Sequence, residues 1–123
     1  MDHVSAVSRK DASSAAEHDC PAGERIRREV SSWPGVTVEP HRFGGLEYRL
    51  GRRELGHVHG NRLADLPFPV EMRRQLVASG RAEPHHILPD SGWVSYFMRR
   101  PDDADGAIEL FRMNYDRATR PGT

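Results

Sequence analysis

Long apolar runs are missing from this sequence. No stretch approaches the roughly 20 residues needed to cross a bilayer. Arg9 and Lys10 are followed by no apolar segment of the kind a secretion signal carries. The expected location is the cytoplasm, with no membrane partner. Cysteine is nearly absent: Cys20 stands alone, so no intramolecular disulfide can form and there is no Cys-x-x-Cys pair for zinc. Charge of neither sign is in excess. Eighteen basic and 18 acidic residues give a net charge of +0, which argues against a general electrostatic grip on nucleic acid or anionic lipid. Gly-x-Gly-x-x-Gly and Walker-type loops are also lacking, so nucleotide folds of those kinds are unsupported.

What remains, 123 residues with 37% hydrophobic side chains, suits one domain with one compact core. Residues 1–20 are rich in Ser, Ala and charge and bury too little to offset their ordering entropy, so a disordered tail is expected there. A helix opens at Pro21, carries Ile26, Val30 and Trp33 at near-helical spacing, and stops at Pro34-Gly35. Val36-Thr37-Val38 reads as a short strand. Phe43-Gly44-Gly45 signals a turn or bulge. Leu46, Tyr48 and Leu50 alternate with Glu47 and Arg49, the pattern of a half-buried antiparallel strand. Gly51-Arg52-Arg53 turns this strand back into a hairpin with Glu54 to His59.

Asn61 to Pro69 reads as a loop because of Asp65, Pro67 and Pro69. A helix follows to about Ser79, with Val70, Leu76 and Val77 on its inner face. Arg81 to Leu88 reads as an irregular edge strand broken by Pro84. Pro89-Asp90-Ser91-Gly92 is a turn by composition. Trp93 to Met98 is a strand, apolar or aromatic except for Ser95. Asp102 and Asp103 start a helix whose stripe is Ala104, Ala107, Ile108, Phe111 and Tyr115. The expected order is α-β-β-β-α-β-β-α. This implies an α+β domain over residues 21–118, one antiparallel sheet of about five strands covered by helices, and a loose tail at 119–123.

Four of the seven histidines lie in two short segments, Glu54-Leu-Gly-His-Val-His-Gly60 and His85-His86-Ile-Leu-Pro-Asp-Ser-Gly-Trp93. In a strand, Leu55, His57 and His59 share one face, so two imidazoles converge on one ligand. Gly56 and Gly60 mark either a bulge or a place where something approaches the backbone closely.

These segments, taken with Gly44-Gly45-Leu46 and Asp65-Leu-Pro-Phe-Pro69, resemble the small "luciferase domain" family of bacterial and fungal proteins. The likeness covers about residues 24 to 118. The family has no settled activity, so the resemblance implies a fold and a set of motifs but no mechanism. The flavin-dependent luciferases resemble (β/α)₈ barrels of about 250 residues, which this chain is too short to form. The strand order is also similar to the double-wing α/β proteins of the YjbR kind, an analogy of fold alone.

Several chemistries compete for the histidine segments. A transition metal such as Zn would take His57 and His59 as neutral imidazoles, with His86 or His85 as a third and Asp65 or Glu54 as a carboxylate. Neighbours in a strand face opposite ways, so only one of His85 and His86 is expected to join, and His86 is the candidate. A small organic or anionic ligand would instead be held by His57, His59, Asp65, His86, Ser91 and Trp93. The plain alternatives are histidines that brace loops, Ser91 as a turn former and Trp93 as a core aromatic. Hydrolysis by Ser91 is disfavoured because Pro-Asp-Ser-Gly-Trp is not a nucleophile elbow. The arginine pairs 52–53, 73–74 and 99–100 read as solvated surface, so nucleic-acid binding is disfavoured too. Whether the protein is an enzyme is left open, as is monomer against homodimer. The competing class of function is an interaction or structural module.

Overall fold

The computed structural model describes residues 20–41 and 44–120. Most of the two expected tails, and Phe43 of the Gly-Gly turn, lie outside those residues. Helix α1 (Ala22–Val30) starts on Pro21 and buries Ala22, Ile26 and Val30 along one side. Glu24 in its first turn and Arg27 and Arg28 in its last complement the helix dipole. Four strands follow, β1 (Val36–Pro40), β2 (Leu46–Leu50), β3 (Arg53–His59) and β4 (Leu63–Pro67). Next come α2 (Val70–Ala78), β5 (Glu83–Pro84), β6 (Trp93–Phe97), a 3-10 turn at Pro101–Asp103 and α3 (Ala104–Thr119).

The six strands form one sheet in the order β1-β2-β3-β4-β6-β5, and every neighbouring pair is antiparallel. The α+β class, the β2–β3 hairpin and the edge position of the Pro84 strand are as expected from sequence. Two elements differ. Residues 63–67, expected to be loop, are a central strand. Pro67 is its last residue, so the missing N–H costs the ladder only at its end. The edge strand expected over 81–88 shrinks to Glu83–Pro84, and residues 86 and 87 form a bend just after it.

The core lies between the sheet and the pair α1 and α3, which pack on each other, with α3 also against β3 and β4. Tyr48, Leu55, Val58, Ala64, Leu66 and Val94 meet Ile26, Val30, Leu110 and Phe111 there. The Phe111 ring stands edge-on to Tyr48 with centroids 5.4 Å apart.

A β-bulge in β3 decides which side chains reach the other face. Tyr48 pairs with Gly56, but Arg49 pairs with Glu54, so Leu55 is the extra residue. Leu55 therefore turns into the core and is 0% exposed. This corrects the expectation that Leu55 shares a face with His57 and His59; Glu54 takes that place. Gly56 makes the bulge possible. Its φ is 156°, and a Cβ there would stand 2.8 Å from the Phe111 ring and 2.9 Å from Leu66. Asn114 on α3 then secures the distortion by donating to the Leu55 carbonyl at 3.0 Å and the Pro67 carbonyl at 2.8 Å.

Candidate metal centre

On the sheet face opposite the core, Glu47, His57, Asp65, Ser95 and Glu83 stand directly across from one another on β2, β3, β4, β6 and β5. Cross-strand partners share a face, so this is a polar row through the centre of the sheet. Its middle member, Asp65, is 1% exposed. Ser95, itself buried, donates to Asp65 Oδ1 at 2.7 Å.

The other oxygen, Oδ2, is surrounded by imidazole nitrogens. The Nε2 atoms of His57 and His86 are each 3.5 Å away, and those of His59 and His85 are each 3.7 Å away. These separations are too long for hydrogen bonds, which fall at about 2.7–3.2 Å. They are close to the spacing of two ligands on one ion, since bonds of about 2.0–2.2 Å in a tetrahedron place the ligand atoms about 3.3–3.6 Å apart. His57, His59 and Asp65 form one triad of candidate ligand atoms within 4.8 Å of each other; Asp65, His85 and His86 form a second.

The remaining ring nitrogens define the tautomers. His57 Nδ1 is 2.7 Å from Glu54 Oε2. Its Nδ1–H therefore donates to a carboxylate, which points Nε2 at the centre, as outer carboxylates do for metal-bound histidines. His85 behaves oppositely. Its Nδ1 accepts the backbone N–H groups of Ile87 at 3.1 Å and Leu88 at 3.0 Å, so the neutral ring carries its proton on Nε2, towards Asp65. A protonated Nε2 cannot ligate a metal. His85 is thus a brace for the loop and a partner for the carboxylate.

The electrostatics follow from this crowding. Burial opposes a charge on His57, but the carboxylates of Asp65 and Glu54 beside it outweigh burial and hold the ring's pKa at about 9. Burial and the neighbouring His57 lower His59 below the ordinary value, against the pull of Asp65. Burial likewise lowers His85, with Asp65 opposing. Burial works to raise Asp65, yet the adjacent His57 ring, the hydrogen bond from Ser95 and the charge of His85 win and lower it.

Of the residues singled out from sequence, His57, His59, Asp65 and His86 are brought together. Trp93 flanks them, its ring centroid 5.4 Å from His57 and 6.1 Å from His85, half-buried at the edge of the cluster. It is a wall of the site more than a core aromatic. Ser91 uses its hydroxyl inside its own turn, donating to the Leu88 carbonyl at 2.8 Å and accepting from Trp93 N at 3.1 Å. Both His85 and His86 bring a ring nitrogen towards Asp65, and it is the tautomer of His85, not the alternation expected of a strand, that leaves His86 as the ligand candidate of the pair. The two rings lie outside any strand and stack at 4.5 Å, so strand alternation does not apply.

Two participants escaped the sequence reading. His41, at the end of β1, stacks on His57 at 3.9 Å; nothing in its surroundings signalled this. Ser95 did leave a signal, being the single polar residue in the apolar stretch Trp93–Phe97.

Fold and site together define a small α+β domain carrying a histidine–carboxylate cluster at the centre of its sheet. The sequence model of the luciferase-domain family matches residues 52–114, just over half of the chain. The chain therefore belongs to the luciferase-domain family, and the matched stretch contains every cluster residue except His41. No curated protein sequence and no solved structure matches the chain. Among the described residues no helix is long and apolar enough to cross a membrane.

Proposed function

We propose that residues 21–118 form one domain whose function is to bind a divalent transition-metal ion such as Zn. His57 Nε2, His59 Nε2 and Asp65 Oδ2 are the ligands, and His86 is the fourth candidate on the far side of the carboxylate. The observation that carries this reading is the ring of imidazole nitrogens 3.5–3.7 Å from Asp65 Oδ2. Neutral imidazole with one carboxylate is a donor set that suits Zn and its first-row neighbours. His57, which holds a second proton in the metal-free chain, would release it from Nε2 as the ion binds while Nδ1–H stays on Glu54. Glu54 and Ser95 orient His57 and Asp65 from outside. Three protein ligands would leave a position for water or a small molecule, with Trp93 as its apolar wall.

The test uses the full chain without an affinity tag. Metal content after purification and after Zn or Co titration should approach one ion per chain. It should fall to background in His57→Ala/His59→Ala and in Asp65→Asn. Absence of saturable uptake by the unmodified chain would refute the proposal.

One observation favours a second reading, in which the histidines only brace loops within an interaction or structural module. His85 already has that role through Ile87 and Leu88. If all four act so, His57→Ala/His59→Ala will lower stability strongly in metal-free buffer, and added metal will not stabilise the unmodified chain.

A further inference from the structure

One row along the sheet from His57–Asp65–Ser95, the register aligns His59, Leu63 and Phe97 on β3, β4 and β6. Because the row is two residues along each strand, it lies on the same face as the cluster. Here the face is open. Phe97 is 44% exposed, a large aromatic at the edge of a polar site. His59, Arg62, Leu63, Phe97, Met98 and Arg99 line a depression of about 690 Å³.

The cationic members of this lining face solvent. Arg62 and Arg99 are both exposed, and among the described residues neither guanidinium has an ion-pair partner. Asp103 attracts Arg99 through space, but its carboxylate is held first by the backbone N–H groups of Arg99 and Arg100 and makes no ion pair with the Arg99 guanidinium. The walls are preformed. Met98 N donates to the Arg62 carbonyl at 2.8 Å, tying the β3–β4 turn to the end of β6. Asn61 Oδ1 accepts from Gly23 N at 2.9 Å, tying the same turn to α1.

An apolar floor, two unpaired arginines and an imidazole that also belongs to the cluster define one kind of occupant. We infer that this depression binds an organic anion with a flat apolar body, of the aromatic carboxylate class. Phe97 and Leu63 take the ring, Arg62 and Arg99 take the carboxylate, and the ring edge rests against His59. Arginine suits this task because its planar fork matches carboxylate geometry and its charge persists at all working pH values. The inference goes beyond the metal proposal and does not depend on it, although His59 would place such a molecule beside the ion.

The test titrates the full chain with 2-naphthoate and with the uncharged 2-naphthalenemethanol, by calorimetry and by NMR of the His59 ring. Naphthoate should bind more tightly than the alcohol and shift the His59 resonances. Arg62→Gln/Arg99→Gln should weaken naphthoate about tenfold or more and leave the alcohol unchanged. Both arginines are exposed and unpaired, so the variant should remain folded by circular dichroism. Equal affinity of the variant and the unmodified chain, or an unperturbed His59, would overturn the inference. Metal content measured on the same samples separates the two proposals. Arginine-dependent naphthoate binding in a chain that takes up no metal supports this inference and defeats the metal proposal alone. Metal uptake with arginine-independent binding does the reverse.

Discussion

Asp65 and Ser95 face each other across β4 and β6, both buried, with the Ser95 hydroxyl 2.7 Å from Asp65 Oδ1. That single bond divides the carboxylate's labour: Oδ1 is tied to the sheet and Oδ2 is left to the histidines. Ser95 Oγ also accepts from His86 N at 3.3 Å, which links the loop to the same point. Ser95→Ala should therefore leave the buried Asp65 Oδ1 and the part-buried His86 N–H without this partner and cost about 1–3 kcal/mol by denaturant melts. Because an outer partner of a ligand is lost, metal affinity should also drop about 10–100-fold. Unchanged affinity would show that Asp65 needs no such anchor.

Asp65→Asn probes the centre itself. It keeps the volume but leaves the His57 imidazolium facing one carboxylate instead of two. Breaking a buried charge pair from one side costs about 3–5 kcal/mol, to be read as a fall in the denaturant midpoint without metal. Near-native stability would mean that His57 is uncharged in the folded protein.

His85→Ala separates bracing from ligation. The ring's Nδ1 satisfies the N–H groups of Ile87 and Leu88, so its removal should cost about 1–3 kcal/mol. Metal stoichiometry should be retained. Loss of the ion with intact stability would instead make His85 a ligand.

Stability of the metal-free protein should be bounded on both sides of neutrality. The folded state holds a proton on His57 up to about 9 against an ordinary 6.5. That contribution is complete below 6.5 and disappears as pH rises through about 9. His59 and His85 are lowered, so their contributions are present above 6.5 and fade as pH falls below it. The lowered Asp65 acts the same way below its ordinary 3.8. Melting temperature against pH in chelator should show both limbs, and His57→Gln should lose the alkaline limb. A profile flat from neutral pH to 10 in the unmodified chain would contradict the charged His57.

Gly56→Ala tests the bulge. A Cβ there meets Phe111, Leu66 and the Asp65 carbonyl at 3.0 Å or less. The resulting overpacking should cost about 1–3 kcal/mol. Since the bulge sets Glu54 beside His57, metal affinity should fall as well. An alanine variant as stable as the parent would show that β3 reaches this geometry without glycine.

Local pattern alone determined the helices at Ala22–Val30, Val70–Ala78 and Ala104–Thr119 and the β2–β3 hairpin. Their apolar periods and their Pro and Gly boundaries act over a few residues. It also determined that His57 and His59 point the same way, because two residues apart in any strand share a face. The ordered histidine, glycine and Pro-Asp-Ser-Gly-Trp motifs were enough to reveal the family. Only the tertiary structure decided that Asp65 is the hub. Residues 63–67 carry no strong strand signal of their own and become a strand because β3 and β6 supply ladders on both sides. Only packing against Phe111 and Asn114 turned Leu55 inward and set Glu54 beside His57. The gathering of His41, His85 and His86 likewise rests on contacts tens of residues apart, and no local period encodes such contacts.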